Sequence, residues 1–148
     1  MSDKEHIFMR VQDILRSRYT GILATQGDVY PLCSVMGFAE SEDCREIYCG
    51  TFRNTRKYRN IAARPGVSLL VDTRKGGADD FTRAQALTAL GKARESDQEP
   101  GSPALERFVH KLPDLNGFIA DPDCALITIT VCKYILVSEF QHVEEYEI

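Results

Sequence analysis

The chain has 148 residues, 43% of them apolar, and a formal net charge of −4. That length fits one domain, read as residues 1–148, and allows roughly two-thirds of the unfolded surface to be buried. The acidic balance argues against a nucleic-acid coat, no apolar run approaches the roughly 20 residues that cross a bilayer, and "MSDKEHIFMRVQDILRSR" has no signal-peptide core; a cytoplasmic protein without membrane or nucleic-acid partners is expected.

Ile7, Phe8, Val11, Ile14 and Leu15 fall on one helical face, so the N-terminus reads as an amphipathic helix with Asp3 as its N-cap. "TGILATQ" is then a short strand, and Gly27-Asp28 signals a tight turn. "VYPLCSVMGFA" reads as a second strand, with Pro31 placing its start at an edge or bulge. "REIYCGTF" is a third, and the three form a meander.

Thr55 is placed to cap a short helix, "RKYRNIAAR", with Tyr58, Ile61 and Ala62 inward and Pro65-Gly66 as its stop. "VSLLVDT" is a strand with a continuous apolar centre, and "RKGGADD", with Asp79-Asp80, is a loop. "RAQALTALGKARE" is a long strand with a bulge or kink at Gly91. After the polar loop "SDQEPGS", Ser102 and Pro103 open a helix through about Leu112. "CALITITVCKYILVSEF" closes the chain as one or two strands. Six or seven strands with short links predict a mainly β fold, an antiparallel barrel that leaves few open edges.

The five cysteines, at 33, 44, 49, 124 and 132, are odd in number and contain no C-x-x-C pair, which argues against a disulfide framework or a thiolate metal site. No Ser-His-Asp, paired-carboxylate or metal-ligand pattern stands out. The three histidines are scattered. His6 sits in a charged helix, His110 beside Lys111, and His142 in the tail. Tyr30 and Tyr58 read as packing residues.

One stretch departs from the acidic average. Between Ile47 and Val71 there is no Asp or Glu, yet Arg53, Arg56, Lys57, Arg59 and Arg64 fall within it. Solvent, nucleic acid and a single small anion are the partners open to it. Local geometry favours the anion. Arg56 and Lys57 would lie in a helix's first turn, where cations are unfavourable unless an anion compensates. Thr51 and Thr55 bring hydroxyls beside them, and Arg and Lys are natural phosphate ligands. The phosphate loops G-x-x-x-x-G-K-[ST] and G-x-G-x-x-G are absent.

These residues carry a resemblance. "IYCGTFRNTRKYRNIAARPGVSLLV" resembles the pyridoxamine 5′-phosphate oxidase-like flavoproteins, the FMN-binding split barrels. It has a strand ending in Thr51, then Thr55-Arg56-Lys57, then a short helix ending in Arg64-Pro65 before an apolar strand. "ALTALGKARE" is similar to the family's strand with a central glycine, and the likeness covers roughly residues 19 to 95.

The resemblance implies a split barrel of six or seven antiparallel strands with non-covalent FMN at a homodimer interface, and a flavin-dependent oxidoreductase acting on a small molecule. It implies that Arg56, Lys57, Thr51 and Thr55 hold the FMN phosphate, and that Cys33, Ser34, Val35 and Met36 run along the ring edge. Cys33 would then lie next to the flavin. A family glutamine near the flavin falls at Gln85, or at Ala86 when aligned on Gly91. Phe140 or His142 would reach the partner's site. Two departures argue against pyridoxamine phosphate oxidation itself: the chain has no Trp, and no Arg follows Lys133. A flavin-binding electron carrier, or a relative holding haem or a deazaflavin, stays open. Haem would need His110 or His142 as axial ligand.

Overall fold

The computed structural model describes residues 1–148. Helix α1 (Asp3–Ser17) buries Val11, Ile14 and Leu15. Its cap is Ser2, whose Oγ accepts the Glu5 N–H at 3.1 Å, rather than Asp3. Asp3 is the first helical residue instead, where its charge favours the helix dipole.

Strands β1 (Thr20–Gln26), β2 (Pro31–Glu40) and β3 (Glu46–Phe52) form the expected meander. The β1–β2 turn closes through Gly27 N–H to the Tyr30 carbonyl, 3.2 Å. Helix α2 (Arg56–Ala63) leads into β4 (Gly66–Asp72), which pairs with β1 on one side and with β5 (Ala86–Glu95) on the other. The last two strands are β6 (Cys124–Ser138) and β7 (His142–Glu147). On one side β6 pairs with β5 along most of its length. On the other it pairs first with β3, over Cys124–Thr130, and then with β7, over Lys133–Ser138. Strands β1 to β6 thus close an antiparallel barrel, and β7 is an extra strand beside it.

Strict alternation drives the closure: in β1 and β4 every second residue is buried, the pattern of a sheet with one face on a core. The β5–β6 register shifts between Leu90 and Gly91, as the Gly91 bulge predicts. A Cβ on Gly91 would run into the Thr130 carbonyl, so only glycine lets the two backbones approach there. The main core includes Leu23, Phe38, Leu69, Ile127 and Leu136, with side chains from α1 and α2. Arg10 of α1 reaches Ser138 and Tyr58 of α2 reaches Glu95, so the two helices sit at opposite ends of the barrel.

Sequence periodicity does not foresee the shorter helices. Helix α3 (Asp80–Arg83) starts at the last residue of the predicted loop and takes Arg83, the first residue of the predicted next strand; that strand starts at Ala86. Helix α4 (Pro103–Lys111) has the expected Ser102 cap, its Oγ accepting the Leu105 N–H at 3.2 Å. It runs on through a 3-10 turn (Pro113–Leu115) into α5 (Asn116–Ala120). This segment packs on β2, β3 and β6 as a second core around Phe108, Tyr48 and Leu126. Two glycines let it dock: a Cβ on Gly37 would stand 3.0 Å from Leu115, and one on Gly50 2.9 Å from Phe118. A buried ion pair, Lys111 to Glu40 at 2.5 Å, fixes α4 to β2, and Lys111 also donates to the Leu15 carbonyl at the end of α1.

The barrel's other outer face is bare. Paired residues Val35, Ile22, Leu70, Thr88 and Ile135 form one cross-strand row on it. Cys33, Ala24, Ser68 and Leu90 form the next. Val35 is 76% exposed. A broad hollow of about 940 Å³ on this side is lined by strand residues and Pro65, with no helical residue.

Candidate anion-binding site

The basic stretch folds as its local signals require. Thr55 is extended (φ −99°, ψ 158°) and its Oγ1 accepts the Tyr58 N–H at 3.3 Å, which makes it the N-cap of α2. Arg56 and Lys57 are therefore the first two helical residues, and their N–H groups have no partner one turn back. The Arg64 N–H bonds the Asn60 carbonyl, and Pro65 ends the helix. Asn60, buried, donates its amide to Thr25 Oγ1 at 3.1 Å and ties α2 to β1.

The five cations separate into two groups. Arg53 grips Glu95 through Nε (3.2 Å) and Nη2 (2.9 Å) and donates Nη1 to the Pro122 carbonyl. Arg59 bonds the Asn54 carbonyl, and Arg64 pairs with Asp28 at 2.8 Å. Arg56 and Lys57 have neither a hydrogen bond from their side chains nor an ion pair within the chain. The two side chains in the first turn, where the helix dipole disfavours cations, are the two left uncompensated.

Lys57 faces a hollow of about 280 Å³. Val35 and Met36 of β2 form one wall and Gly50, Thr51 and Phe52 of β3 the floor. Thr55 stands beside Lys57, and Phe108, Leu115 and Phe118 close the far side. Phe118 meets Phe52 edge-on, ring centroids 5.1 Å apart. The site thus pairs a cationic helix start with an apolar, partly aromatic wall.

Of the nine residues expected from the sequence, Val35, Met36, Thr51, Thr55 and Lys57 line this hollow. Arg56 is exposed next to it. Cys33 and Ser34 precede Val35 on β2, Cys33 exposed on the outer face and Ser34 half-buried. Thr51 is buried, its hydroxyl 3.0 Å from that of Thr55. Gln85 does not join them. It lies just before β5, at the opposite end from Glu95, which places it about 30 Å away along the strand. There it lines a separate hollow with Phe81 and Phe140. Ala86, the residue reached by aligning on Gly91, is the first of β5 and lies at the same end.

No histidine reaches the Lys57 hollow. His6 and His110 are exposed on helices, and His142 opens β7 with its Nε2 3.5 Å from Glu144. Burial pushes the Cys49 thiol up to about 12 and the Cys44 thiol up to about 11, so neither is a thiolate near neutral pH. What the sequence reading missed is the wall from α4, the 3-10 turn and α5, whose Phe108, Leu115 and Phe118 carry no chemical signature.

A closed six-stranded antiparallel barrel plus one extra strand, with short helices, defines a split-barrel-like fold. Residues 8–137 match the family described as "Pyridoxamine 5′-phosphate oxidase", and the chain belongs to that family. No curated protein matches it. Among solved structures it is similar to a heme binding protein from Mycobacterium smegmatis (16% identity, TM-score 0.79, 90% of this chain and 55% of that one). It is also similar to Campylobacter jejuni ChuZ (16% identity, TM-score 0.81, 99% and 61%). A third is a Clostridium acetobutylicum protein related to general stress protein 26, of the pyridoxinephosphate oxidase family (14% identity, TM-score 0.72, 99% and 97%). The chain thus spans little more than half the length of the first of these. At such identities the likeness is one of fold.

Proposed function

We propose that this chain binds FMN non-covalently, as a cytoplasmic homodimer, and serves as a flavin-dependent oxidoreductase on a small molecule other than pyridoxamine phosphate. The observation that carries the reading is the uncompensated pair Arg56 and Lys57 at the start of α2. A phosphate dianion supplies the charge that turn lacks. Arg56, Lys57 and the first-turn N–H groups would hold the phosphate. The Thr51 and Thr55 hydroxyls would turn from each other to add donors. Val35 and Met36, with Cys33 and Ser34 before them, would run beside the ring. Flavin, when bound, supplies the hydride or electron exchange, while the protein supplies position and electrostatics.

The homodimer has its own support. The hollow of about 280 Å³ lies at the low end for a ligand pocket. Next to it Val35 begins the bare apolar row on β2, β1, β4 and β5. A second copy on this face would cover that row and complete the walls of the site. Family membership supports a flavin; the M. smegmatis relative's name keeps haem as the second reading, for which any axial histidine would come from the partner, since none of the same protomer lines the hollow.

The deciding experiment is a visible spectrum of purified protein, alone and after FMN is added. Flavin bands, with free FMN released on denaturation, are the expected result. A sharp Soret band, or no binding of FMN, overturns the reading. Reduction of the bound flavin by a nicotinamide cofactor, followed by reoxidation with substrate, separates an oxidoreductase from an electron carrier.

A further inference from the structure

Helix α2 has no acid in its first turn, where one would favour the dipole. Glu95, the last residue of β5, supplies a carboxylate from outside the helix. Its Oε1 accepts the Tyr58 hydroxyl at 2.6 Å, and both its oxygens are held by Arg53. Arg53 precedes Thr55 and Tyr58 follows Lys57, so Glu95 grips the chain on both sides of the ligand-facing turn. Arg53 extends the brace to the α5–β6 turn, its N–H bonding the Asp123 carbonyl at 3.0 Å. Glu95 makes no bond to Arg56 or Lys57.

We propose, on the FMN-phosphate reading above, that Glu95 is the positioning residue of the anion site. By clamping Arg53 and Tyr58 it fixes the turn between them and keeps Arg53 out of the site, so that Arg56 and Lys57 alone face the phosphate. Geometry and charge act in opposite directions here. As a bare negative charge near a dianion, Glu95 would weaken binding and its removal would tighten it. As a clamp, its removal loosens the turn and weakens binding.

FMN and riboflavin titrations of the full chain, read by flavin fluorescence, separate the two. With Glu95→Ala, FMN affinity falls about tenfold, the scale of a contact that orients a ligand-bearing group, while riboflavin, which lacks the phosphate, is unaffected. Glu95→Gln keeps an acceptor oxygen and recovers most of the FMN affinity. Tyr58→Phe, which loses one hydroxyl and keeps its ring, weakens FMN more mildly and keeps the question open to test if Glu95→Ala fails to fold. Unchanged or tighter FMN binding in these variants overturns the inference, as does an equal loss for riboflavin. A wild-type chain that binds no FMN removes the FMN reading as well, whereas wild-type binding with indifferent Glu95 variants removes this inference alone.

Discussion

The Thr51 and Thr55 hydroxyl oxygens lie 3.0 Å apart, and both are within hydrogen-bond reach of the Phe52 carbonyl. The end of β3 and the start of α2 are thereby joined through two side chains four residues apart. Thr55 serves the fold first, as a cap, and any ligand second.

Thr55→Ala removes that cap and is expected to cost about 1 kcal/mol of stability. Thr55→Ser restores most of it. Chemical denaturation measures both, and an alanine variant as stable as wild type would show that the cap is dispensable.

Arg56→Ala combined with Lys57→Ala should abolish FMN binding without destabilising the protein. Removing two cations from a helix's first turn is worth about 0.3–1 kcal/mol each in the favourable direction at low salt. A thermal melt and an FMN titration on one preparation decide it; retained affinity, or a large loss of stability, contradicts the site.

Val35→Glu places a charge on the bare apolar row. Light scattering is expected to report a dimer for wild type, near twice 16.7 kDa, and a monomer for the variant, with FMN affinity falling alongside. A wild-type monomer that still binds FMN tightly would separate the cofactor site from the dimer.

Lys111 and Glu40 are 12% and 7% exposed and pair with each other. Glu40→Ala strands a buried charge and should cost about 3 kcal/mol near neutral pH. Burial holds the Lys111 pKa below its ordinary 10.5 despite the Glu40 contact. Without Glu40 the folded state binds the Lys111 proton still less readily than the unfolded state does. The variant's deficit should therefore shrink as pH rises toward 10.5. Denaturation from pH 7 to pH 10 tests the slope; a deficit flat across that range would place the damage elsewhere.

Local signals were legible because each acts within a few residues. The Thr55 cap, the Pro65 stop, the Ser102-Pro103 helix start and the Gly91 bulge all stand where the sequence put them. Asp3 gave way to Ser2 because both are good caps one residue apart. Helices α3 and α5 have four and five residues, too few to show a period; α5 exists because Phe118 and Ile119 fill the space over Gly50. The basic stretch was legible as charge, but not its division. That Arg53 belongs to Glu95, 42 residues on, is set by where β5 ends. How far Gln85 stands from the basic turn is set in the same way: it depends on strand length, and the sequence marks only the bulge.

The barrel closes by pairing Phe52 with Cys124 and the rest of β3 with β6, while all the other neighbouring strands in the barrel lie closer along the chain or follow from hairpins. Closure must await the whole intervening segment, including α2, β4, β5 and α4. Contacts between distant residues slow folding because chain entropy is lost before they form. Until β6 arrives, β3 offers an open edge of unpaired backbone groups, with Ile47, Tyr48 and Cys49 along it. A nascent chain released before β6 is made would carry that edge and the edge of β5 uncovered, and its aggregation should fall once the chain extends through Ser138.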